Sequence, residues 1–347
     1  MVMLLSDAVR AGYQGAERLA RRSPIPLQLV SNGEHSPQPA SPALRRTAAR
    51  LFATAKAEAA RRGQTPDQYL AGPAGYAAAF AAMNEGFGSD SFAVGQHEAQ
   101  DDAAAADRRD ALSGQFVFDD QVHFLRDDAD PDFFKPLTDM IALSADLLDL
   151  PRDAGHSIDR IKFHHFLKEI YLDSDTKLAL LSGAPSDHSE GWMLTNDMMA
   201  AAREAVNAVA GQRRLLTHAV IAPGHDGWLD EVDRVHETLR PDGWKGYTVG
   251  EPFGPSHNRW RLDDEDLMYP AYDRLVKAGV RNLCIHKGIL PENADEVMPG
   301  AEPFAKVDDV GKAARDWPDL NFIVYHAGYR TVPAPTQAEV TRFEDTG

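Results

Sequence analysis

From residue 115 onward, short apolar runs alternate with longer amphipathic stretches. The apolar runs at 115–123, 177–182, 214–221, 244–249, 281–286 and 320–325 predict strands. The segments near 132–148, 157–172, 193–210, 228–239, 264–278 and 305–316 predict helices. In the second of these, Ile158, Ile161, His165 and Leu172 fall on one helical face, and Ser157 is placed to cap it. Asp263, Asp264 and Glu265 put negative charge at the positive start of the helix they precede. Most strand starts lie about 30–40 residues apart, the length of a βα unit. Strand and helix alternating in this way form a parallel sheet, closed as a barrel or doubly wound. No G-x-G-x-x-G or P-loop pattern follows a strand, which removes the main support for a nucleotide-binding sheet. The strand endings are polar instead (Asp-Asp-Gln-Val-His, Leu-Thr-His, Ile-His-Lys-Gly, Tyr-His-Ala-Gly). An α/β fold of the TIM-barrel type is therefore expected, its βα loops converging on one rim.

Residues 1–112 read differently, and 113–347 are taken as the barrel domain. The N-terminal part is rich in Ala and Arg, is broken by a loop carrying Pro37, Pro39 and Pro42, and contains the run Asp101–Asp107. It shows no strand alternation. Helices are expected at 4–21, 43–62, 74–84 and 98–112, making a helical extension.

Charge narrows the partners. Against 36 basic residues stand 53 acidic ones, a formal net charge of -17. Nucleic-acid binders carry a basic stripe, so that class is set aside and a small-molecule substrate is expected. The one cysteine, Cys284, forms no internal disulfide. No apolar run reaches the roughly 18 residues of a membrane span. Arg61-Arg62 ahead of 69–83 faintly resembles a twin-arginine export signal. It lies deep in the chain and is interrupted by Gly72, Pro73 and Gly75, so an ordinary helix and a cytoplasmic location are expected. Self-association into a homo-oligomer stays open.

Candidate chemistry sits at the strand ends. Side chains alternate along a strand, which would put Asp119, Gln121 and His123 on one face and Asp120 and Val122 on the other. His286 and His326 end the fifth and sixth strands. A lone strand-end histidine is most often a packing residue, but three at matched ends point to a site. Nitrogen and oxygen ligands of this kind suit zinc, and also manganese or iron(II). Such an ion would bring the pKa of bound water towards neutrality. His218, His257 and Arg259 are candidate substrate contacts, Arg259 through a forked bond to a carboxylate. His225, Glu251 and Arg261 share the same loops and are read first as solvated side chains. Lys245 is read as structural and Cys284 as a small buried residue.

On Phe116-Val-Phe-Asp-Asp-Gln-Val-His123, Lys177-Leu-Ala-Leu-Leu-Ser-Gly183, Trp244-Lys-Gly-Tyr-Thr248, Cys284-Ile-His-Lys-Gly288 and Val324-Tyr-His-Ala-Gly328, the chain resembles the amidohydrolase superfamily. The branch in question holds metal-dependent hydrolases and the aminocarboxymuconate-semialdehyde and resorcylate decarboxylases. The resemblance runs from about Gln115 to Arg330 and implies an eight-stranded barrel. It implies metal ligands from an H-x-H on strand 1, one histidine each on strands 5 and 6, and an aspartate on strand 8. By position, His123, His286 and His326 match three of these, while Gln121 stands where the first histidine belongs. A βα unit takes about 30 residues or more, so the stretch after residue 325 is not expected to hold strands 7 and 8 or their aspartate. The expectation is an incomplete barrel of about six strands. Its metal would sit on Gln121, His123, His286 and His326, with His326 and Asp119 catalytic. Three readings stay open: hydrolysis of an amide, ester or lactone by metal-activated water, decarboxylation of a small carboxylic acid, and an inactive barrel or binding module.

Overall fold

The computed structural model describes residues 23–25, 27, 40–111, 114–147, 157–290 and 294–328. They fall into two compact units that divide between Gln115 and Phe116. The first unit is helical, with α1 (Pro42–Arg62), α2 (Pro73–Phe87) and α3 (Asp102–Ala111); the helix expected at 4–21 lies outside the described residues. Ser41 caps α1 by accepting from the Leu44 N–H, and Gly63 ends it at φ 66. Alanines explain the packing. Leu51, Ala55 and Ala59 meet Ala74, Ala78 and Ala82 in one core, and a Cβ on Gly86 would come within 2.0 Å of Thr47 Oγ1. Arg61 and Arg62 form the last turn of α1, where Arg61 bonds Glu58 and Arg62 bonds Asp102. Among the described residues no helix is long and apolar enough to cross a membrane.

The second unit is a curled half-barrel of six parallel strands in the order β1 to β6. They are β1 (Phe118–Val122), β2 (Leu178–Leu181), β3 (Leu215–Val220), β4 (Gly243–Tyr247), β5 (Asn282–His286) and β6 (Asn321–Tyr325). Each pairs only with its sequence neighbours, as successive βα units require. The main covering helices are α4 (Lys135–Leu147), α5 (Asn196–Ala210), α6 (Trp228–Thr238), α7 (Tyr269–Ala278) and α8 (Val310–Asp316). The convex face is apolar: Ala219, Trp244, Leu283 and Ile285 pack with Val235 of α6 and Tyr272 of α7. Asn196, at the start of α5, donates to the Val220 carbonyl and accepts from its N–H, fixing that helix to the end of β3. The curl brings the outer strands within side-chain reach, and the Tyr325 hydroxyl donates to the Asp120 carbonyl at 2.9 Å.

Two helix expectations are corrected. The segment 157–172 is not one helix: it is a 3-10 turn over Ile158–Ile161, an α-turn over Phe163–Leu167 and a π-turn over Lys168–Leu172. The chain straightens at Lys162 because its backbone is drawn into a bridge with Leu125, whose N–H donates to the Ile161 carbonyl. The shared apolar face is lost with the helix, and Leu172 is 79% exposed. Ser157 does cap the first turn, accepting from the Asp159 N–H. The helix expected at 305–316 is divided into Glu302–Ala305 and α8, with Lys306 extended between them. Between those pieces Asp309 is drawn inward to Lys287, Nζ to Oδ2 2.8 Å, with both side chains fully buried. Asp309 Oδ2 also accepts from the Leu262 N–H. Removing one partner strands a charge in a low-dielectric interior. Asp309→Ala should therefore cost about 3–5 kcal/mol in urea unfolding, and the pair replacement Lys287→Met with Asp309→Leu should cost less.

Candidate functional site

The pleat sends alternate side chains of β3 to β6 onto the concave face. Lys245 and Tyr247 of β4 stand opposite Cys284 and His286 of β5 in register, and His286 stands opposite Tyr325 of β6. The imidazoles of His123, His218, His286 and His326 gather around this grid. The His286 and His326 rings meet edge-on at 4.6 Å, and Tyr247 stacks on His286 at 5.0 Å. His218 lies 6.0 Å from the Tyr325 ring. Lys245 Nζ sits over Tyr247 and Tyr325 at 4.5 and 4.4 Å from the ring centroids.

The first strand departs from simple alternation. Its register with β2 runs Phe118 to Leu178, Asp119 to Ala179, then Val122 to Leu181, with a bulge between. Ala179 and Leu181 share the convex face, so Asp119 and Val122 share it too. The expected grouping of Asp119 with Gln121 and His123 is thus overturned. Asp119 lies where it influences Tyr171, on the helix side, and Asp120 lies where it influences Cys284 and Tyr325. Past the bulge, His123 turns inward. Its Nδ1 is 2.7 Å from the Ser182 carbonyl, an acceptor, so Nδ1 carries the proton. Nε2 then accepts from the Gln121 amide at 3.1 Å.

Burial sets the charge states. Burial first, then the Lys245 charge, pushes His218 down to about 3 from an ordinary 6.5, and the same two causes bring His326 to about 4. Burial brings His123 to about 4, against the Ser182 carbonyl bond that works to raise it. His286 falls well below its ordinary value through burial, then Lys245. All four imidazoles are neutral at pH 7. Burial also lowers the Lys245 amine to about 7, and the side chain is 0% exposed. Neither Lys245 Nζ nor either ring nitrogen of His218 has a hydrogen-bond partner among the described residues. At the rim His326 and Ala327 adopt φ 59 and 52. Side-chain-bearing residues seldom enter that region, and such strain collects at functional sites.

The four expected metal positions occur as two contacting pairs, Gln121 with His123 and His286 with His326. Among the described residues no three His, Cys, Asp or Glu side chains come close enough together to hold an ion. As placed, the residues do not make a closed ligand set, and an unpartnered lysine shares their space.

The remaining candidates lie apart. Arg259 donates to the Pro299 carbonyl at 2.7 Å, which occupies part of its fork. His257 is exposed, and its backbone N–H donates to Asp187. Glu251 accepts from Ser186 and from the Asp187 N–H, tying the loops after β2 and β4. His225 comes within 3.7 Å of Asp187. A cavity of about 710 Å³ opens between the starts of α5 and α6, lined by Trp192, Asn196, His225, Trp228, Glu231 and Trp244. Trp244 points away from Lys245, so this space lies on the convex side and not over the imidazoles.

Sequence reading took Lys245 as structural and did not single out Tyr247 and Tyr325. The signal for the first two was present: in Trp-Lys-Gly-Tyr they stand two apart on a strand whose residues are all buried. A mid-strand lysine there has no solvated face available.

No family model matches the chain, and no curated protein matches it. An uncharacterized TIM-barrel protein from Bordetella bronchiseptica is similar in structure, with a TM-score of 0.42 at 12% identity, over 59% of this chain. The chain spans 66% of that protein, less than two thirds, and no argument about the site rests on the likeness.

The depressed imidazoles tie stability to pH. Unfolded histidines bind protons below 6.5, whereas these folded ones stay neutral to about 4. Stability should be full above pH 6.5 and fall as pH drops towards 4. Urea midpoints at pH 7 and pH 4.5 measure the loss, and His218→Phe should reduce it.

Proposed function

We propose that this protein is an enzyme acting on the carbonyl or carboxyl group of a small molecule held against the concave face. Hydrolysis of an amide, ester or lactone is the first reading. The observation that supports it is the set of four imidazoles kept neutral by burial: His123, His286 and His326 at the C-terminal strand ends, where barrels of this type place their chemistry, and His218 deeper within β3. A neutral imidazole offers one N–H and one lone pair. His123 commits its Nδ1–H to Ser182 and its Nε2 lone pair to the Gln121 amide, which holds its ring in place. His326 is part-exposed at the rim and suited to meet substrate, either taking a proton from attacking water or donating to the carbonyl oxygen. His286 is bonded to the Gly288 backbone, which orients its ring against His326. Asp119 has no part in this, because the bulge turns it to the helix side.

Decarboxylation is the second reading, and the unpartnered Lys245 at the centre of the cluster favours it. A lysine amine serves that reaction by condensing with a carbonyl beside the carboxylate, because the protonated imine nitrogen then takes the electron pair that carbon dioxide leaves behind.

The test is a screen of small amides, esters, lactones and carboxylic acids with the wild-type chain, His326→Ala and His286→Ala. Metal content by plasma mass spectrometry accompanies it, on protein purified without chelator. His326→Ala should lower kcat/KM on the order of 10²–10⁴-fold at an unchanged melting temperature, as loss of a proton-transfer group does. Equal turnover by wild type and His326→Ala would remove the imidazole cluster from the reaction.

A further inference from the structure

Two lysines of the barrel unit are wholly buried, and their surroundings are opposite. Lys287 follows the usual rule for interior charge: Asp309 lies 2.8 Å from its Nζ, and the Phe304 carbonyl accepts a second bond at 3.0 Å. Lys245 has neither. No hydrogen-bond partner reaches its Nζ among the described residues. The influences on it are burial and the Cys284 thiol, with no carboxylate among them. Two tyrosine faces box the nitrogen, and neutral imidazoles surround the box. Burial without a carboxylate disfavours the cation, so a large share of the nitrogen is amine with its lone pair free near neutral pH. Two ring faces hold the side chain, but no hydrogen bond engages its tip, which leaves a nucleophile available there.

We propose that Lys245 is the nucleophile of the concave face and forms an imine with a small aldehyde or ketone, 3-oxo acids included. This rests on reading that face as a substrate site, but not on hydrolysis. The Nζ lone pair forms a C–N bond to the carbonyl carbon while the C=O π pair moves to oxygen. One Nζ proton passes to that oxygen and gives the carbinolamine. The second Nζ proton follows through a neighbouring imidazole, the C–O bond breaks, and oxygen leaves as water as C=N forms. Amine and carbonyl thus give imine and one water with no change in oxidation state. His218 suits the relay, since neither of its ring nitrogens is committed and it lies within electrostatic reach of Lys245. It accepts the proton at one nitrogen and releases one from the other. With a 3-oxo acid, protonation of the imine lets the C–CO₂ bond pair move onto nitrogen. Carbon dioxide departs, the enamine takes a proton at carbon, and water returns the ketone and the free amine. Lys245 is 0% exposed and the Tyr325 ring over its Nζ is 7% exposed, so a substrate reaches the amine only as that ring gives way; Ile323, two residues earlier on β6, is 39% exposed.

Reductive trapping tests this. The full-length chain is incubated at pH 7 with pyruvate, acetoacetate or benzaldehyde and sodium cyanoborohydride, and modified lysines are located by peptide mass mapping. Lys245 should be alkylated about tenfold or more faster than surface lysines, whose amines are almost wholly protonated at that pH. The paired Lys287 in the same chain should stay unmodified and serves as the buried control. Lys245→Met keeps the length without the amine; it should lose the fast adduct and melt at or above the wild-type temperature. If surface lysines react with all three probes while Lys245 does not, the proposal is overturned, and that result needs no variant to fold. Hydrolysis surviving in Lys245→Met without trapping in the wild type would sink the imine and leave the hydrolase reading. Trapping at Lys245 in a chain that turns over no amide, ester or lactone would do the reverse.

Discussion

The free energy needed to hold charge away from water organises the barrel unit of this protein. Its convex face meets that demand by being apolar, with Trp244, Leu283 and Ile285 under α6 and α7. The pleat then leaves the concave face as the place for every polar side chain on the same strands. Where charge is buried in this unit, the demand is met in two ways. Lys287, one residue beyond β5, keeps its charge because Asp309 joins it. Lys245 and the four imidazoles meet no carboxylate among the described residues, and burial disfavours their charge instead. Neutral imidazoles and an amine that loses its proton near pH 7 are a consequence of that shortage, and they are the groups that carbonyl chemistry uses.

The half-barrel geometry makes the shortage local. Curling brings β6 back towards β1, so that Tyr325 reaches the Asp120 carbonyl and covers Lys245 from one side. The bulge in β1 decides which carboxylate faces this space. It turns Asp119 outward to the helix layer and leaves Asp120 near Tyr325 and Cys284. Without the extra residue the pairing would slip by one position, and every side chain beyond Asp119 would change face. The cluster therefore depends on a backbone irregularity in its first strand as much as on its own side chains. The positive φ at His326 is a second irregularity on the opposite strand, at the rim where substrate would arrive.

The first unit answers the same physics with different materials. Its alanines let α1 and α2 approach closely, and Gly86 meets Thr47 where any larger residue would collide. Glu98, the acid buried there, is bonded to Arg108 through both oxygens, and this bond, against the effect of burial, lowers its pKa to about 2. Paired charge inside, small residues at the contact and long helices account for the composition that set this segment apart.

The order of strands and helices from residue 116 was legible in the sequence because periodicity is a local property of the chain. Period-two runs and amphipathic stretches need no knowledge of distant partners, and six strands stand where six apolar runs stood. The strand-end histidines were legible for the same reason. The helix at 157–172 was not, because its fate rested on a bridge from Lys162 to Leu125, which no local pattern contains. Nor was the face of Asp119, since alternation counts residues and a bulge is set by the register of a neighbouring strand. Lys245 is the sharpest case. The sequence placed a lysine on the fourth strand, but only the tertiary structure left it without a carboxylate, between two tyrosines and among neutral imidazoles. Which charges a buried group meets is decided by residues far apart in the chain, and so it belongs to the fold and not to the pattern.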